Sequence, residues 1–212
     1  MSYAEFEADD SRAFRRRFSS MGQPVVVRGG FAVEGMNDPA LFSRAAFRRR
    51  YGDVPVTMAS VPYAGAYGRG HTASDTTIGT FAAVSSDDGI SLRQLVCVRH
   101  PQPPPPVMFT HTQKSPQALG PPLSGAAPHF HPPAYNGVVF GRKLWFFFPP
   151  QVAEFSADLP AWEWLKAGGS ACPPRGFVAV QDAGDMVYVP PFWGHAVVNL
   201  ADTFAVAFET YV

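Results

Sequence analysis

Two histidines separated by one residue, His129 and His131 in "APHFHPPAYNG", have the spacing that most directly indicates chemistry. On a β-strand, residues i and i+2 project from the same face, so both imidazoles would point one way and Phe130 would face an outer core. Two imidazoles on one face form part of a site for a first-row divalent metal. The pair therefore predicts a metal site that needs a further ligand from elsewhere in the chain.

The third ligand has four candidates, the remaining histidines His71, His100, His111 and His195. His195 is favoured by its context in "GDMVYVPPFWGHAVVNL". This segment has the offsets of the second cupin motif at Gly184, Pro190, His195 and Asn199, with Phe192 where that motif has glycine. An isolated histidine is more often a core residue bonded to a backbone carbonyl. Paired with the H-x-H segment, however, His195 is predicted to be a metal ligand.

Lys143 interrupts the strand-forming run "FGRKLWFFF" and is the second residue that indicates chemistry. A buried ammonium group is costly unless an anion meets it, so Lys143 is predicted to bind one. The alternative is a solvated lysine at an exposed turn beside Arg142. Asp185 could in principle supply a carboxylate to the metal. Its place after Gly184 is better explained by hydrogen bonding in the turn that leads into the next strand.

The elements that must position these residues are mostly β-strands. Residues 135–140 and 143–148 flank Gly141-Arg142 and predict a hairpin. The closely spaced runs "FVAV", "DMVYVP", "HAVVNL" and "TFAVAFETYV" predict further strands. Helices are predicted over 38–52 and in "LPAWEWLKAGG", with Gly168 as the stop of the second. Short strands preceded by a helical front indicate an antiparallel barrel or sandwich.

Composition narrows the function classes. The 212 residues are most simply one domain, and 46% are hydrophobic, as in globular proteins. Lys plus Arg equals Asp plus Glu at 17 each, so no charge bias favours a nucleic-acid partner. Cys97 and Cys172 have no metal-binding spacing, and whether they pair is open. With no apolar run long enough to span a bilayer and no export signal visible, we expect a soluble, cytoplasmic protein.

Three segments together carry a family resemblance. "HFHPPAYNGVVFGRKLWFFFPP" resembles the H-x-D/E…N…GxK-x-W…PP segment of the jumonji-C (JmjC) family of cupin-fold, iron(II) and 2-oxoglutarate-dependent oxygenases. "GDMVYVPPFWGHAVVNLADTFAV" resembles that family's G-D…P-x-x-W-x-H-x-V-x-N-L segment, and "QPVVVRGGF" its opening strand. The resemblance runs from about residue 22 to the end.

The resemblance implies a double-stranded β-helix, that is, a cupin or jelly-roll barrel with a few flanking helices. Residues 1–212 would form one domain, with a helical extension over 1–21, strands and helices over 22–120 and the core barrel over 121–212. Fe(II), or another divalent metal, would be bound by His129, His131 and His195. The co-substrate 2-oxoglutarate would be held by Lys143, with Asn136 and Asn199 contacting it or bracing the site. Tyr63, Thr110 and Thr112 are alternative sources of a hydroxyl near the co-substrate.

One position departs from the family pattern. The usual metal site has two histidines and one carboxylate, whereas position 131 is histidine. A small single-domain JmjC subgroup shares this H-x-H, and its animal members reside in the ER lumen, a location that stays open here if the start is processed. The resemblance implies a hydroxylase acting on a protein side chain or a small molecule. Two alternatives remain: a non-catalytic metal-binding interaction module, and a three-histidine dioxygenase that does not use 2-oxoglutarate.

Overall fold

The computed structural model describes residues 12–19, 22–32, 35, 37–60, 73–77, 80, 93–96, 117–152, 159, 161–169 and 175–209. His71, His100, His111, Tyr63, Thr110, Thr112, Cys97 and Cys172 lie outside these residues. The hypotheses attached to them therefore stay predictions. The division of the chain into one domain with three parts also stays a prediction.

The described helices are short. α1 is Arg12–Phe14 and continues into a π-helical turn, Arg15–Ser19. α2 is Arg44–Tyr51, α3 is Ala161–Lys166, and Pro150–Val152 forms a 3₁₀ turn. The first residues predicted for α2 are not helical, because Ser43 is the N-cap and its hydroxyl accepts from the amide of Ala46. Gly168 follows α3 with φ of 96°, as its predicted role as a helix stop requires.

Eleven strands in the described residues form two antiparallel sheets. They are β1 Val25–Val27, β2 Pro55–Ser60, β3 Ala73–Thr77, β4 Arg93–Val96, β5 Gln117–Gly120, β6 Ala134–Phe140, β7 Arg142–Phe148, β8 Phe177–Asp182, β9 Met186–Val189, β10 Gly194–Asn199 and β11 Thr203–Glu209. The large sheet has the order β1-β9-β6-β11-β5-β4-β2-β3, and the small sheet β10-β7-β8. The predicted mostly-β class is confirmed, and the two sheets are consistent with a cupin jelly roll.

The predicted hairpin between β6 and β7 is wrong, although both strands exist. β6 pairs with β9 and β11 in the large sheet, whereas β7 pairs with β8 and β10 in the small one. Gly141 alone joins them, and the tightest hairpins need two loop residues. Gly141 has φ of 91°, and a Cβ there would lie 2.3 Å from the carbonyl oxygen of Asp202. The glycine therefore passes the chain from one sheet to the other.

Three apolar clusters define the layers. The first packs the outer face of the large sheet against helical aromatic side chains such as Phe14 and Phe47. The second includes Trp145 and Phe147 of β7 with Val187 and Val189 of β9, so it lies between the sheets. The third packs the other face of the small sheet against α3. Because strand side chains alternate, Lys143 shares the inner face of β7 with Trp145 and Phe147.

Residues 123–129 extend the small sheet along the edge of β10. The amides of Asn199, Val197 and His195 donate to the carbonyl oxygens of Ser124, Ala126 and His129 at 2.7, 2.9 and 2.8 Å. Gly125 permits this close approach, since a Cβ on it would lie 1.9 Å from the carbonyl oxygen of Val197. The segment thereby delivers His129 directly beside His195, and the two form an antiparallel bridge.

No helix among the described residues is long and apolar enough to cross a membrane.

Candidate metal centre and anion-binding wall

Three histidines converge at one end of β10. One ring nitrogen from each of His129, His131 and His195 lies within 4.8 Å of the others. The ring centroids are 4.1 Å apart for His129 and His195, 4.7 Å for His131 and His195, and 5.3 Å for His129 and His131. His129 and His195 are buried, with 6% and 2% exposure, while His131 is partly exposed. A group with this spacing could hold a metal ion.

Backbone carbonyls fix the orientation of all three rings. Nδ1 of His129 lies 2.7 Å from the carbonyl oxygen of Ala127, and Nδ1 of His131 lies 2.6 Å from that of Pro132. Nδ1 of His195 lies 3.1 Å from the carbonyl oxygen of Trp193. A carbonyl oxygen only accepts, so each Nδ1 carries a hydrogen, and Nε2 of a neutral ring then keeps its lone pair. This is the tautomer that an Nε2-ligating histidine needs, and the donor set fits a first-row divalent metal.

Burial keeps the two inner imidazoles neutral. Desolvation, reinforced by the charge of His131, lowers the pKa of His129 from 6.5 to about 4. The pKa of His195 is also lowered well below its ordinary value, by desolvation first and then by its two histidine neighbours. Both rings are therefore unprotonated near neutral pH and can donate their lone pairs to a cation.

Lys143 lies on the inner face of β7, and is 4% exposed. We call this face, together with the inner face of β10 that carries His195 and Asn199, the inner wall. In the β7–β10 register it stands opposite Asn199, and His195 stands opposite Phe147. Asn199 lies four positions after His195 in β10, which is about 13 Å along the strand, and on the same face. Desolvation lowers the pKa of Lys143 from 10.5 to about 8, so the amine still carries its proton at neutral pH. The solvated-lysine alternative does not fit this burial.

A side-chain relay holds the ammonium group. Nζ of Lys143 donates to Oδ1 of Asn199 at 3.2 Å, and Nδ2 of Asn199 donates to Oγ of Ser124 at 3.0 Å. The Ser124 hydroxyl in turn donates to the carbonyl oxygen of Pro121 at 2.6 Å. Gly120 leaves the room for this relay, since a Cβ there would lie 2.4 Å from Oγ of Ser124. Among the described residues no carboxylate pairs with Lys143, so its charge is solvated by one amide oxygen.

Asn136 has an unpartnered polar atom between the sheets. It stands opposite Val187 of the inter-sheet cluster, and its buried Oδ1 has no hydrogen-bond partner among the described atoms. Its backbone carbonyl accepts from Nε2 of Gln181 at 2.8 Å. An orphaned buried oxygen calls for a ligand or water. This placement is compatible with the co-substrate role predicted for Asn136, although that role remains a proposal.

Gln181 and Ser124 are residues of the wall that sequence reasoning missed. Oε1 of Gln181 accepts from the indole of Trp145 at 2.8 Å, and its Nε2 also donates to the carbonyl oxygen of Asp185 at 3.0 Å. Gln181 is fully buried and ties the small sheet to the large one. Its only signal in the sequence is a polar residue within a strand, which is common at solvated positions.

Asp185 is used for structure, as the turn interpretation predicts. Its Oδ1 accepts from the amide of Gly29 at 3.0 Å, and its Oδ2 accepts from the amide of Asp182 at 3.0 Å and from Arg28. It lies at the opposite end of β9 from the turn that leads to His195. Its carboxylate is therefore not part of the histidine group.

Two phenylalanines lie beside the histidines. Phe130, which we expected in an outer core, is 46% exposed. That expectation was wrong because 129–131 is not a regular strand: only His129 makes a bridge. Phe192 is 67% exposed with φ of 64°, and its amide donates to the carbonyl oxygen of His131 at 3.3 Å. A bulky residue with positive φ is strained, so the glycine of the cupin motif would relieve it.

Comparisons with known proteins bear on this site. Residues 175–210, which include His195 and Asn199, match the family described as JmjC domain, hydroxylase. The human JmjC domain-containing protein 8 is 34% identical over 105 residues, which are 48% of this chain and 40% of that protein. The chain is thus a relative of the JmjC-domain proteins. The resemblance predicted from its sequence is confirmed.

Other JmjC relatives also match only part of their length. The mouse JmjC domain-containing protein 8 is 31% identical over 105 residues, covering 39% of its length. An Arabidopsis thaliana protein named arginine-specific demethylase JMJ22 is 29% identical over 105 residues, which are 42% of this chain and 21% of that protein. The chain matches well under two thirds of the length of these relatives. It therefore shares a JmjC hydroxylase-type segment with them. Its own three-histidine group could bind metal.

Proposed function

We propose that this chain binds Fe(II) through Nε2 of His129, His131 and His195 and uses 2-oxoglutarate to hydroxylate a protein side chain or small molecule. One observation carries the proposal: a buried ammonium group, which no carboxylate of the described residues pairs with, lies on the same inner face as a group of three histidines. An anion that binds both ends of this wall would satisfy both. The family resemblance makes 2-oxoglutarate, a dicarboxylate, the proposed anion.

The chain's own residues have distinct tasks in this proposal. Lys143 binds the far carboxylate, and Asn199, held by Ser124, orients the ammonium group toward it. Asn136 offers its unpartnered oxygen to the co-substrate or to a water beside it. His129, His131 and His195 would hold the iron, which would supply the oxidising chemistry that uses dioxygen and 2-oxoglutarate. The Trp145 ring, 5.8 Å from that of His195, excludes water from the inner side of the imidazoles.

The deciding experiment measures succinate formation from 2-oxoglutarate in the presence of Fe(II) and oxygen, with and without a broad panel of peptides. We expect slow uncoupled turnover in the wild type and loss of it in Lys143→Met. The matched control is Lys166→Met, since Lys166 is exposed and paired with Glu163 on α3. No turnover and no 2-oxoglutarate binding in the metal-loaded protein would contradict the proposal.

The three-histidine donor set supports a second candidate. A protein that binds metal but not 2-oxoglutarate would be a JmjC-like interaction module. Oxygen uptake with small thiols in the absence of 2-oxoglutarate would instead identify a three-histidine dioxygenase.

A cytoplasmic location, supported by only two widely separated cysteines, belongs to the proposal and is testable by fractionation of the source cells.

A further inference from the structure

A five-residue pattern of three arginines between two aromatic residues occurs twice in the chain. Residues 14–18 read F-R-R-R-F, and residues 47–51 read F-R-R-R-Y. The first copy covers the end of α1 and most of the π-helical turn, and the second lies in α2. Neither copy belongs to the histidine group or to the inner wall. The proposed function therefore leaves both copies unexplained.

The two copies are built in the same way. In each, both aromatic rings belong to or pack against the first apolar cluster, on the outer face of the large sheet, and the three arginines between them are exposed. The guanidinium group of Arg17 lies 5.5 Å from the centroid of the Phe18 ring, and that of Arg50 lies 5.6 Å from the centroid of the Tyr51 ring. The aromatic residues thus anchor the backbone of each copy and hold the last arginine of each triplet.

The anchors place the two triplets at opposite ends of β6. The ring centroid of Phe14 lies 6.4 Å from that of Tyr135, near the start of β6, and the ring centroid of Phe47 lies 6.1 Å from that of Phe140, at its end. Phe140 comes five positions after Tyr135, which is about 16 Å along a strand. Both triplets therefore lie on one side of the molecule, roughly that distance apart.

The charges of the α2 triplet are open to a partner. Within the described part of the chain, arginines 48–50 form no ion pair with a carboxylate. Arg49 donates to the carbonyl oxygen of Ala40 at 3.3 Å, and the arginine of α2 that has a carboxylate partner is Arg44, 2.8 Å from Asp202. All six triplet positions are arginine, although the chain also contains three lysines. A planar guanidinium group can bind a carboxylate through two parallel hydrogen bonds, which an ammonium group cannot.

We propose that arginines 15–17 and 48–50 form a docking surface for an extended acidic segment of a partner protein, with aspartate or glutamate side chains at two places about five residues apart. An extended chain advances about 3.3 Å per residue, so five residues span the distance between the triplets. The aromatic rings of both copies pack into the core, so they offer no platform on which bases could stack. With 17 basic and 17 acidic residues, the chain has no net charge that would attract a nucleic acid or an anionic membrane over a long range.

The test measures, by fluorescence anisotropy at low salt, how the full chain binds a labelled peptide with the sequence EEEGSEEE. We expect the combined variant Arg48→Gln, Arg49→Gln and Arg50→Gln to bind it about tenfold more weakly, as the loss of three exposed ion pairs would cause. Its melting temperature should stay nearly unchanged, because the three side chains are exposed. The matched control combines Lys166→Gln and Arg175→Gln, two exposed cations outside both triplets, and should bind as the wild type does.

The first triplet and the peptide itself provide two more arms. Arg15 and Arg16 have further interactions within the molecule, so Arg17→Gln represents that triplet and should weaken binding by about twofold to threefold. A peptide of six contiguous glutamates has the same charge but a shorter reach, and we expect it to bind more weakly than EEEGSEEE. The peptide QQQGSQQQ should not bind.

Equal affinity of the wild type and the triple variant for EEEGSEEE would overturn the proposal, and so would binding of QQQGSQQQ with the same affinity. A wild type that does not bind EEEGSEEE, but binds single-stranded RNA or phosphatidylserine vesicles through arginines 48–50, would overturn the choice of a protein partner. The large sheet lies between this surface and the inner wall, so Lys143→Met should bind the peptide as the wild type does. Failure of docking would therefore leave the proposed function standing.

Discussion

The two ends of β10 hold their functional groups by different means. At the His195 end, each imidazole is oriented by a carbonyl within two residues of it in the sequence. At the Asn199 end, Lys143 depends on Asn199, 56 positions away, and Asn199 depends on Ser124, 75 positions away. Ring orientation at the His195 end is thus local to short segments. The Lys143–Asn199–Ser124 contacts exist only when segment 123–129, β7 and β10 are assembled.

The largest effect should follow from removing a ligand at the locally built end. His195→Ala removes a nitrogen with a preset lone pair, and we expect metal affinity to fall by about 100-fold or more, beyond what loss of a supporting hydrogen bond causes. The melting temperature of the metal-loaded protein should fall with it. The check is metal content after dialysis, together with melting with and without chelator. Metal content equal to that of the wild type would remove His195 from the site.

Removing the Lys143 ammonium group should weaken ligand binding and at the same time stabilise the fold. Lys143→Met should weaken 2-oxoglutarate binding by roughly 30- to 100-fold, since a charged contact is lost. The ligand-free protein should gain about 1 to 3 kcal/mol of unfolding free energy, because a desolvated charge without a carboxylate partner is removed. Urea unfolding and calorimetry measure the two effects. Unchanged stability would contradict the burial penalty, and Lys166→Met controls for loss of a surface charge.

The lowered pKa of Lys143 predicts how the affinity for 2-oxoglutarate depends on pH. Below pH 8 the free protein already carries the ammonium group, so 2-oxoglutarate affinity should be nearly independent of pH there. Above pH 8 the free amine is neutral and must take up a proton on binding, so affinity should fall by up to about tenfold per pH unit. Calorimetry between pH 7 and 9.5 tests this. Lys143→Met should show no such slope, and a flat wild-type profile would contradict the assignment.

These two ends also mark what the sequence could predict. Most of the strands and the grouping of the three histidines could be predicted, and Lys143 could be singled out, because short patterns carry them: H-x-H, a glycine–aspartate turn, and a lysine inside an apolar run. The sheet change at Gly141 was not, because a glycine between two strands is typical of a hairpin as well. The relay through Ser124 was not accessible either. It depends on how segment 123–129 lies along β10, where Gly125 allows a contact that no local pattern signals.

Breaking the hydrogen bond between Asn199 and Ser124 should weaken 2-oxoglutarate binding less than removing Lys143 does. Ser124→Ala leaves Nδ2 of Asn199 buried without its partner, which should cost about 1 to 2 kcal/mol of stability. Asn199 would then hold the ammonium group less firmly, and 2-oxoglutarate affinity should fall by only about threefold to fivefold. Metal affinity in the absence of anion should stay at the wild-type value, since no histidine depends on Ser124. A loss of metal affinity comparable to that of His195→Ala would show that the two ends are not separable.

The smallest effect is expected at the exposed Phe192, which lies beside the histidines. Phe192 holds a positive φ of 64° that a glycine adopts without strain, so Phe192→Gly should stabilise the fold by about 1 kcal/mol despite the loss of a side chain. The side chain is 67% exposed and contributes little burial that would oppose this gain. Phe192→Ala, which keeps the strain, should show no such stabilisation in urea unfolding. Metal affinity should be unchanged in both variants, since both keep the Phe192 amide that donates to the carbonyl oxygen of His131. A glycine variant less stable than the alanine variant would contradict this prediction. It would show that the positive φ at position 192 is not a source of strain.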